Sequence, residues 1–324
     1  MRGRKVTETL VNALIGAGMK RISSITLLLT CVSGLLYAGE SIEITVIKSR
    51  DLRPYTIVSR AFKDHLNELN TDARIRECTL KGRRADDLLV IRAKIKAETP
   101  DLVLTLGTPA TKLAQEVVKD VPALFTMVLD PKAGNVSPPG VVIDISPEVK
   151  LRQLKRILPN AKRVGLVYSD KSVSAYQKIA QAGARLGFEV ICEKIGSGKE
   201  LPEGFEDISW RIDCFLMIVD SKIYFRKSVE YLLREALSKK IPVVGLSSAY
   251  TKAGALISFD CDYEDLGKQT GEIALKLLSG VKSSDIGFVG PRRIDFTLNL
   301  AVAERLGIRI PANIRREARE VFGK

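Results

Sequence analysis

The 324-residue chain is 45% hydrophobic and 27% charged, with 6% aromatic residues and a formal net charge of +13. Such a chain has ample material for a packed core and exceeds the usual single-domain size, so a globular protein of two domains is expected, without low-complexity tracts or fixed-period repeats. The basic excess is scattered, and its densest cluster, Lys81-Gly82-Arg83-Arg84, lacks interleaved aromatics, which argues against nucleic-acid binding.

In chain order, Lys20 and Arg21 precede an apolar run from Ile22 to Leu36, which closes at Leu36-Tyr37-Ala38. A basic start, an apolar middle and a small terminal residue describe a secretory signal. The run is shorter than the roughly 20 apolar residues a spanning helix needs, and it carries Ser and Thr. Residues 1–38 are therefore read as an upstream extension with a signal peptide, and the mature protein as periplasmic. Leu28-Leu29-Thr30-Cys31 matches a lipoprotein box only loosely, so lipid anchoring is not expected. Loss of the five basic residues and one acidic residue of this segment leaves 46 and 37, a net charge of +9.

From Ile42 onward, short apolar strands alternate with amphipathic helices. The predicted strands are 42–47, 73–79, 102–106, 123–128 and 141–145, then 163–168, 189–195, 214–219, 242–246 and 255–259. Continuous apolar runs of this kind fit parallel sheets covered by helices on both faces. After Thr108, the positions Ala110, Leu113, Ala114, Val117 and Val118 form one buried helical stripe. Val58, Ala61, Phe62, His65, Leu66 and Leu69 form another. Ser146-Pro147-Glu148 is an N-cap, a first-turn proline and an acid suited to the dipole. Leu186-Gly187 ends a further helix.

The repetition predicts an α/β fold of two doubly wound parallel-sheet lobes. Crossings are expected at Ile145-Ser146-Pro147, at Leu256–Asp260 and after Gly280, near Lys282-Ser283-Ser284-Asp285. That gives a three-segment hinge, with one lobe of residues 39–144 plus 257–281 and another of 145–256 plus 282–324. Parallel crossings let two rigid lobes close over a ligand.

Catalytic chemistry is sparse. The single histidine, His65, lies on an apolar helix face and reads as a packing residue, so neither a Ser-His pair nor a histidine metal site is expected. Gly196-Ser197-Gly198-Lys199 fails the phosphate-loop spacing, because Glu193 stands where the first glycine is required. Cys78, Cys192, Cys214 and Cys261 follow the signal. In a sheet of order 2-1-3, the strands of Cys192 and Cys214 flank a third, too far apart for a disulfide. Free thiols are expected, with no cofactor.

Ligands of open α/β sheets lie beyond the carboxyl ends of the strands. That rule selects Lys48-Ser49-Arg50-Asp51, Gly107-Thr108-Pro109-Ala110 with its free helix N–H groups, and Met127–Pro131. In the second lobe it selects Tyr168-Ser169-Asp170, Val219-Asp220-Ser221 and Leu246-Ser247-Ser248. Thr108 and Ser247 also read as helix caps, and Asp130 as a turn former. Arg50 suits either a bidentate pair with a ligand anion or a solvated loop.

At these residues the chain resembles the substrate-binding proteins of ABC transporters that include tryptophan- and tyrosine-binding members. The resemblance is carried by Asp101-Leu-Val-Leu-Thr-Leu-Gly-Thr-Pro-Ala110, Val121-Pro-Ala-Leu-Phe-Thr-Met-Val128 with Asp130-Pro131, and Leu158-Pro-Asn-Ala-Lys-Arg-Val-Gly-Leu-Val-Tyr168. Ile241-Pro-Val-Val-Gly245, Gly254-Ala255-Leu256, Asp262-Tyr263-Glu-Asp-Leu-Gly267 and Leu298-Asn299-Leu300, with Ala303 and Leu306-Gly307, complete the ordered set.

The resemblance implies a type I periplasmic-binding fold with an amino acid or related molecule between the lobes. It implies ligand contacts from Thr108, Pro109, Ala110 and Met127, and from Tyr168, Ser169, Asp170, Asp220, Ser247 and Asp260. Ser49-Arg50-Asp51-Leu-Arg-Pro-Tyr55 departs from the His-Pro-type loop of typical members, and Asp220-Ser221 from their Asp-Asn, marking a divergent branch. The expected protein is a monomeric, non-enzymatic receptor that passes its solute to a membrane permease. The alternative is a ligand sensor docking on a membrane signalling protein.

Overall fold

The computed structural model describes residues 41–137 and 139–323. The expected signal segment lies outside them. Among the described residues, no helix is long and apolar enough to cross a membrane.

The first sheet is built from β1 (Ile42–Lys48), β2 (Ala73–Thr79), β3 (Leu102–Leu106), β4 (Ala123–Val128), β5 (Gly140–Val142) and β11 (Phe288–Val289). Its order is β11-β5-β4-β3-β1-β2, and every pairing is parallel. Each of the five residues of central β3 is buried, whereas edge strand β2 has no buried residue. Helices cover both faces. Helix α1 (Arg53–Glu68) sets Val58, Phe62 and Leu66 against Ile44, Leu102 and Leu104. On the other face lie α2 (Arg84–Glu98) and α3 (Thr108–Val117), which enclose Ile47 and Val103 with Ile91, Leu113 and Ala114. Full burial of a side chain such as Phe62 contributes about 1.5–3 kcal/mol.

The second sheet contains β6 (Arg163–Tyr168), β7 (Glu189–Lys194), β8 (Cys214–Leu216), β9 (Val243–Gly245), β10 (Ile257–Cys261), β12 (Ile294–Asn299) and β13 (Glu320–Phe322). Its order is β13-β12-β10-β9-β8-β6-β7, parallel except where β12 runs against β10. One face carries α4 (Pro147–Ile157), α5 (Val173–Leu186) and α11 (Leu300–Leu306), around Val164, Leu166 and Leu298. The opposite face carries α6 (Leu201–Ser209) and α7 (Arg226–Ser238), around Phe205, Phe215 and Leu232. Shorter helices are α8 (Ser248–Ala253), α10 (Ser283–Ile286) and α12 (Ala312–Glu317). Strands β7 and β8 flank β6, so Cys192 and Cys214 lie on opposite sides of it, and the four described cysteines are free thiols.

Three segments join the sheets, but two of the expected boundaries move. The apolar run expected to cross at 256–260 is β10, which pairs with β9 and β12 inside the second sheet. The chain crosses at Asp262 instead, into α9 (Tyr263–Leu278), whose Leu266, Ile273 and Ala274 join the first lobe's core. The polar stretch expected to cross at 282–285 forms α10, which delivers Phe288 to β5. The last crossing is therefore 290–293. Gly267 lets α1 and α9 approach closely: a Cβ there would lie 2.6 Å from both the Val58 carbonyl oxygen and the Ala61 Cβ.

Candidate ligand-binding cleft

The carboxyl ends of strands from both sheets open onto adjoining cavities. One of about 310 Å³ is lined by Leu129 and Asp130 after β4, by Asp144 and Lys150 beside the first crossing, by Lys171, Ser172 and the first turns of the helix after β6, and by the loop after β8. A second, about 240 Å³, shares Leu129, Ile145, Lys150 and Met217 with it and extends to Phe259 and Tyr263. A third, about 680 Å³, continues from Ser247, Asp260 and Tyr263 to Arg53, Asp295 and Arg319.

Of the expected site residues, Asp220, Ser247 and Asp260 line these cavities. Asp220 is buried and committed to its own loops. Its Oδ2 accepts from Ser169 Oγ at 2.6 Å, Ser172 Oγ at 2.5 Å and the Ser169 amide at 3.3 Å, and its Oδ1 accepts from the Lys222 amide at 2.8 Å. Burial disfavours the charge, but these donors outweigh it and hold the carboxyl below the usual aspartate range. Asp260 accepts from Tyr263 Oη at 2.7 Å and from Arg319 Nη2 at 3.3 Å. Ser247 opens α8 without a side-chain cap bond.

The other expected residues lie elsewhere, for identifiable reasons. Ser49 is buried, and its Oγ accepts from the Ala110 amide at 2.9 Å, spending both the hydroxyl and that helix N–H inside the first lobe. The Ala110 side chain is fully buried. Gly107, at φ 86°, makes the turn from β3 into α3, and a Cβ there would collide with the Tyr55 hydroxyl. Arg50 and Pro109 are exposed and Thr108 is half-buried, all outside the cavity linings. Met127 is buried in the first lobe's core at φ 61°, where the β4–β5 register shifts. Tyr168 stacks on Tyr176, with ring centres 4.4 Å apart. Ser169 serves Asp220, and Asp170 is an exposed partner of Lys194 at 2.8 Å.

Sequence reasoning missed Asp144 and Lys150. Each had a signal: Asp144 interrupts the apolar run Val141–Ile145, and Lys150 places a cation in the first turns of α4, where the dipole disfavours it. Burial lowers the Lys150 pKa against the opposing effect of Asp144, and raises that of Asp144 against the effect of Lys150 and Lys178. Arg319 was also missed, because its segment has no apolar pattern. His65 lies between α1 and α9, 3.4 Å from Glu68 and outside the cavity linings. Among the described residues, no group of three His, Cys, Asp or Glu side chains is placed to hold a metal ion.

The sequence pattern of a family described as ABC transporter substrate binding protein matches residues 42–322, which is nearly everything the two sheets contain. The chain belongs to this family. A tyrosine-binding protein of Clostridioides difficile is 27% identical over 210 residues, covering 60% of this chain and 60% of that relative. The chain thus spans less than two thirds of that relative's length. The ligand-free, open structure of a substrate binding protein with adhesive properties from Clostridium difficile has a TM-score of 0.73 at 24% identity, covering 87% of this chain and all of that one. An ABC domain of Streptococcus pneumonia in complex with L-Trp has a TM-score of 0.61 at 22% identity, covering the same shares. The family member described here therefore has the two-lobed fold of the periplasmic binding proteins.

Proposed function

We propose that this substrate-binding protein is the exported receptor of an ABC uptake system, closing its lobes over an amino acid and presenting it to a membrane permease. One observation carries the reading: adjoining cavities at the carboxyl ends of strands from both sheets, walled by side chains of both lobes. The tyrosine-binding relative and the L-Trp complex support an amino acid as the solute. The basic and apolar segment 20–38 supports export. A binding role rather than turnover is supported by the placement of His65 away from the cavities and by the commitment of Asp220 to its own loops.

The test is thermal denaturation of the purified full chain against a panel of amino acids. A ligand at 100 times its dissociation constant stabilises by about 2.7 kcal/mol, a readily measured rise in melting temperature. Failure of every amino acid to shift well-folded protein, shown by native mass spectrometry to carry no retained ligand, would overturn the reading.

A further inference from the structure

Most polar groups around the 310 Å³ cavity already have partners. Asp220 takes four donors, Asp130 Oδ1 accepts from the Ala133 amide at 2.9 Å, and Lys171 Nζ donates to Ser221 Oγ at 3.3 Å. Lys178 is exposed. Asp144 and Lys150 differ. Both are half-buried in the cavity wall, and among the described residues neither side chain makes a hydrogen bond or an ion pair within 4.0 Å. They share one cavity with opposite charges and partly offset each other's burial, yet form no direct ion pair. The nearby Cys261 thiol supplies no counter-charge: burial pushes its pKa up to about 12, and it donates to the Ile143 carbonyl at 3.4 Å.

A half-buried charge without a hydrogen-bonded partner is costly, and a cavity wall that keeps two of opposite sign is shaped for a group bearing both. Lys150 also belongs to the wall of the 240 Å³ cavity, whose lining from Ile143, Met217, Val244, Phe259 and Tyr263 is mainly apolar. The cation therefore stands where a charged head would meet an apolar chamber. Resting on the amino-acid reading above, we infer that Lys150 binds the carboxylate and Asp144 the ammonium of a zwitterionic amino acid whose apolar side chain enters the 240 Å³ chamber. The device selects against solutes lacking either charge, because each would leave one wall group unpaired.

The test is calorimetric titration of the full chain with L-leucine, L-phenylalanine, L-tyrosine and L-tryptophan, then with the methyl ester and N-acetyl forms of whichever binds. Lys150→Met is expected to weaken the parent amino acid by roughly 10- to 100-fold, the loss of one charge-assisted contact, while leaving the ester's affinity at its wild-type value. Lys150→Arg should restore part of the loss. Asp144→Asn should weaken the parent similarly and spare the N-acetyl form. Apo melting temperatures confirm folding. Parent affinities unchanged in both variants would overturn this assignment and leave the amino-acid receptor standing. Equal losses for parent and derivative would mean a structural role, and a loss with Lys150→Met alone would mean a simple anion; each overturns the pairing. If wild-type protein binds none of the four, this assignment of an apolar side chain to the chamber falls, and the amino-acid receptor reading falls only if the full amino-acid panel fails as well.

Discussion

Asp220 offers a decisive separation between a ligand group and a loop organiser. Its carboxylate receives two hydroxyls and two amides that connect the loops after β6 and β8. In Asp220→Ala some donors keep partners: the Ser169 amide still donates to Ser172 Oγ at 3.0 Å, and Ser172 Oγ reaches the Ser169 carbonyl at 3.4 Å. Ser169 Oγ is left without an acceptor at a residue only 1% exposed, whereas the amide of exposed Lys222 can turn to water. One orphaned buried donor at about 1–3 kcal/mol, together with the lost charge-assisted contacts, gives a loss near 3 kcal/mol. For a lobe of this size that lowers the melting temperature by about 6–12 °C. Asp220→Asn, keeping one acceptor oxygen, should lose about half as much. The carboxyl's pKa is depressed in the fold, so its contribution is complete above the unfolded value of about 3.9 and fades as pH falls through the lower folded value. The wild-type advantage over Asp220→Asn should therefore shrink below about pH 4. The measurement is a set of circular-dichroism melts from pH 7 to pH 3 on wild type and both variants. A change under about 2 °C for Asp220→Ala, coupled to lost ligand affinity, would refute the assignment and return Asp220 to the binding surface.

Gly267→Ala should destabilise by about 2–3 kcal/mol through the forced separation of α1 and α9, read as a lowered urea midpoint at unchanged slope. The Cys214 and Cys261 thiols, both pushed up to about 12 by burial, should resist iodoacetamide at pH 8 in native protein and label only on unfolding, as peptide mass mapping would record. Burial and the neighbouring Asp262 and Asp260 raise the Asp295 pKa against the opposing Arg319, so its ionised form weakens the fold. Asp295→Asn should raise the melting temperature at pH 7, and the gain should vanish as pH falls through the folded Asp295 value and the wild-type carboxyl becomes neutral.

Strands buried on both faces were legible in the sequence, and so was edge strand β2, whose bounds match the expected 73–79 although none of its residues is buried. In β3, β4 and β6 the need to cover two sides imposes an unbroken apolar run, and their observed bounds match the expected ones. By contrast, β11 has two residues and β13 three, too few to show a period. Strand β12 reads Ile-Asp-Phe-Thr-Leu-Asn, an alternation that its antiparallel place beside β10 explains only after the topology is known. The cleft was legible as a set of loops, not as residues. Ser49, Thr108 and Ser169 look alike in sequence, and whether a hydroxyl faces a ligand or its own loop depends on a partner tens of residues away: Ala110 for Ser49, Asp220 for Ser169. Lys150 and Asp144 were hidden for the opposite reason. Each is a charge inside an element read for its apolar pattern, where the misfit itself was the signal.

The same two residues sit beside the first crossing, and that position limits what they can do in closure. The third crossing is tied to α9: Arg292 Nε reaches both oxygens of buried Asp265 at 3.0 and 2.9 Å, and Gln269 Nε2 donates to the Gly290 carbonyl at 2.9 Å. The Asp262 amide meets the Arg293 carbonyl at 3.3 Å, so the second and third crossings adjoin. If the lobes close as the receptor reading requires, these bonds would confine bending to a few residues near Asp262, Arg293 and Asp144. A group close to such an axis moves little when lobes rotate and holds its ligand almost equally in open and closed states. A ligand shifts that equilibrium only by its difference in affinity between the two. On the pairing inferred above, Lys150 and Asp144 would set which solute binds. Closure would then draw on the other walls of the cavity, Leu129 and Asp130 on one lobe and Ala175 and Val219 on the other. Selectivity and closure would thus rest on different residues of one cavity.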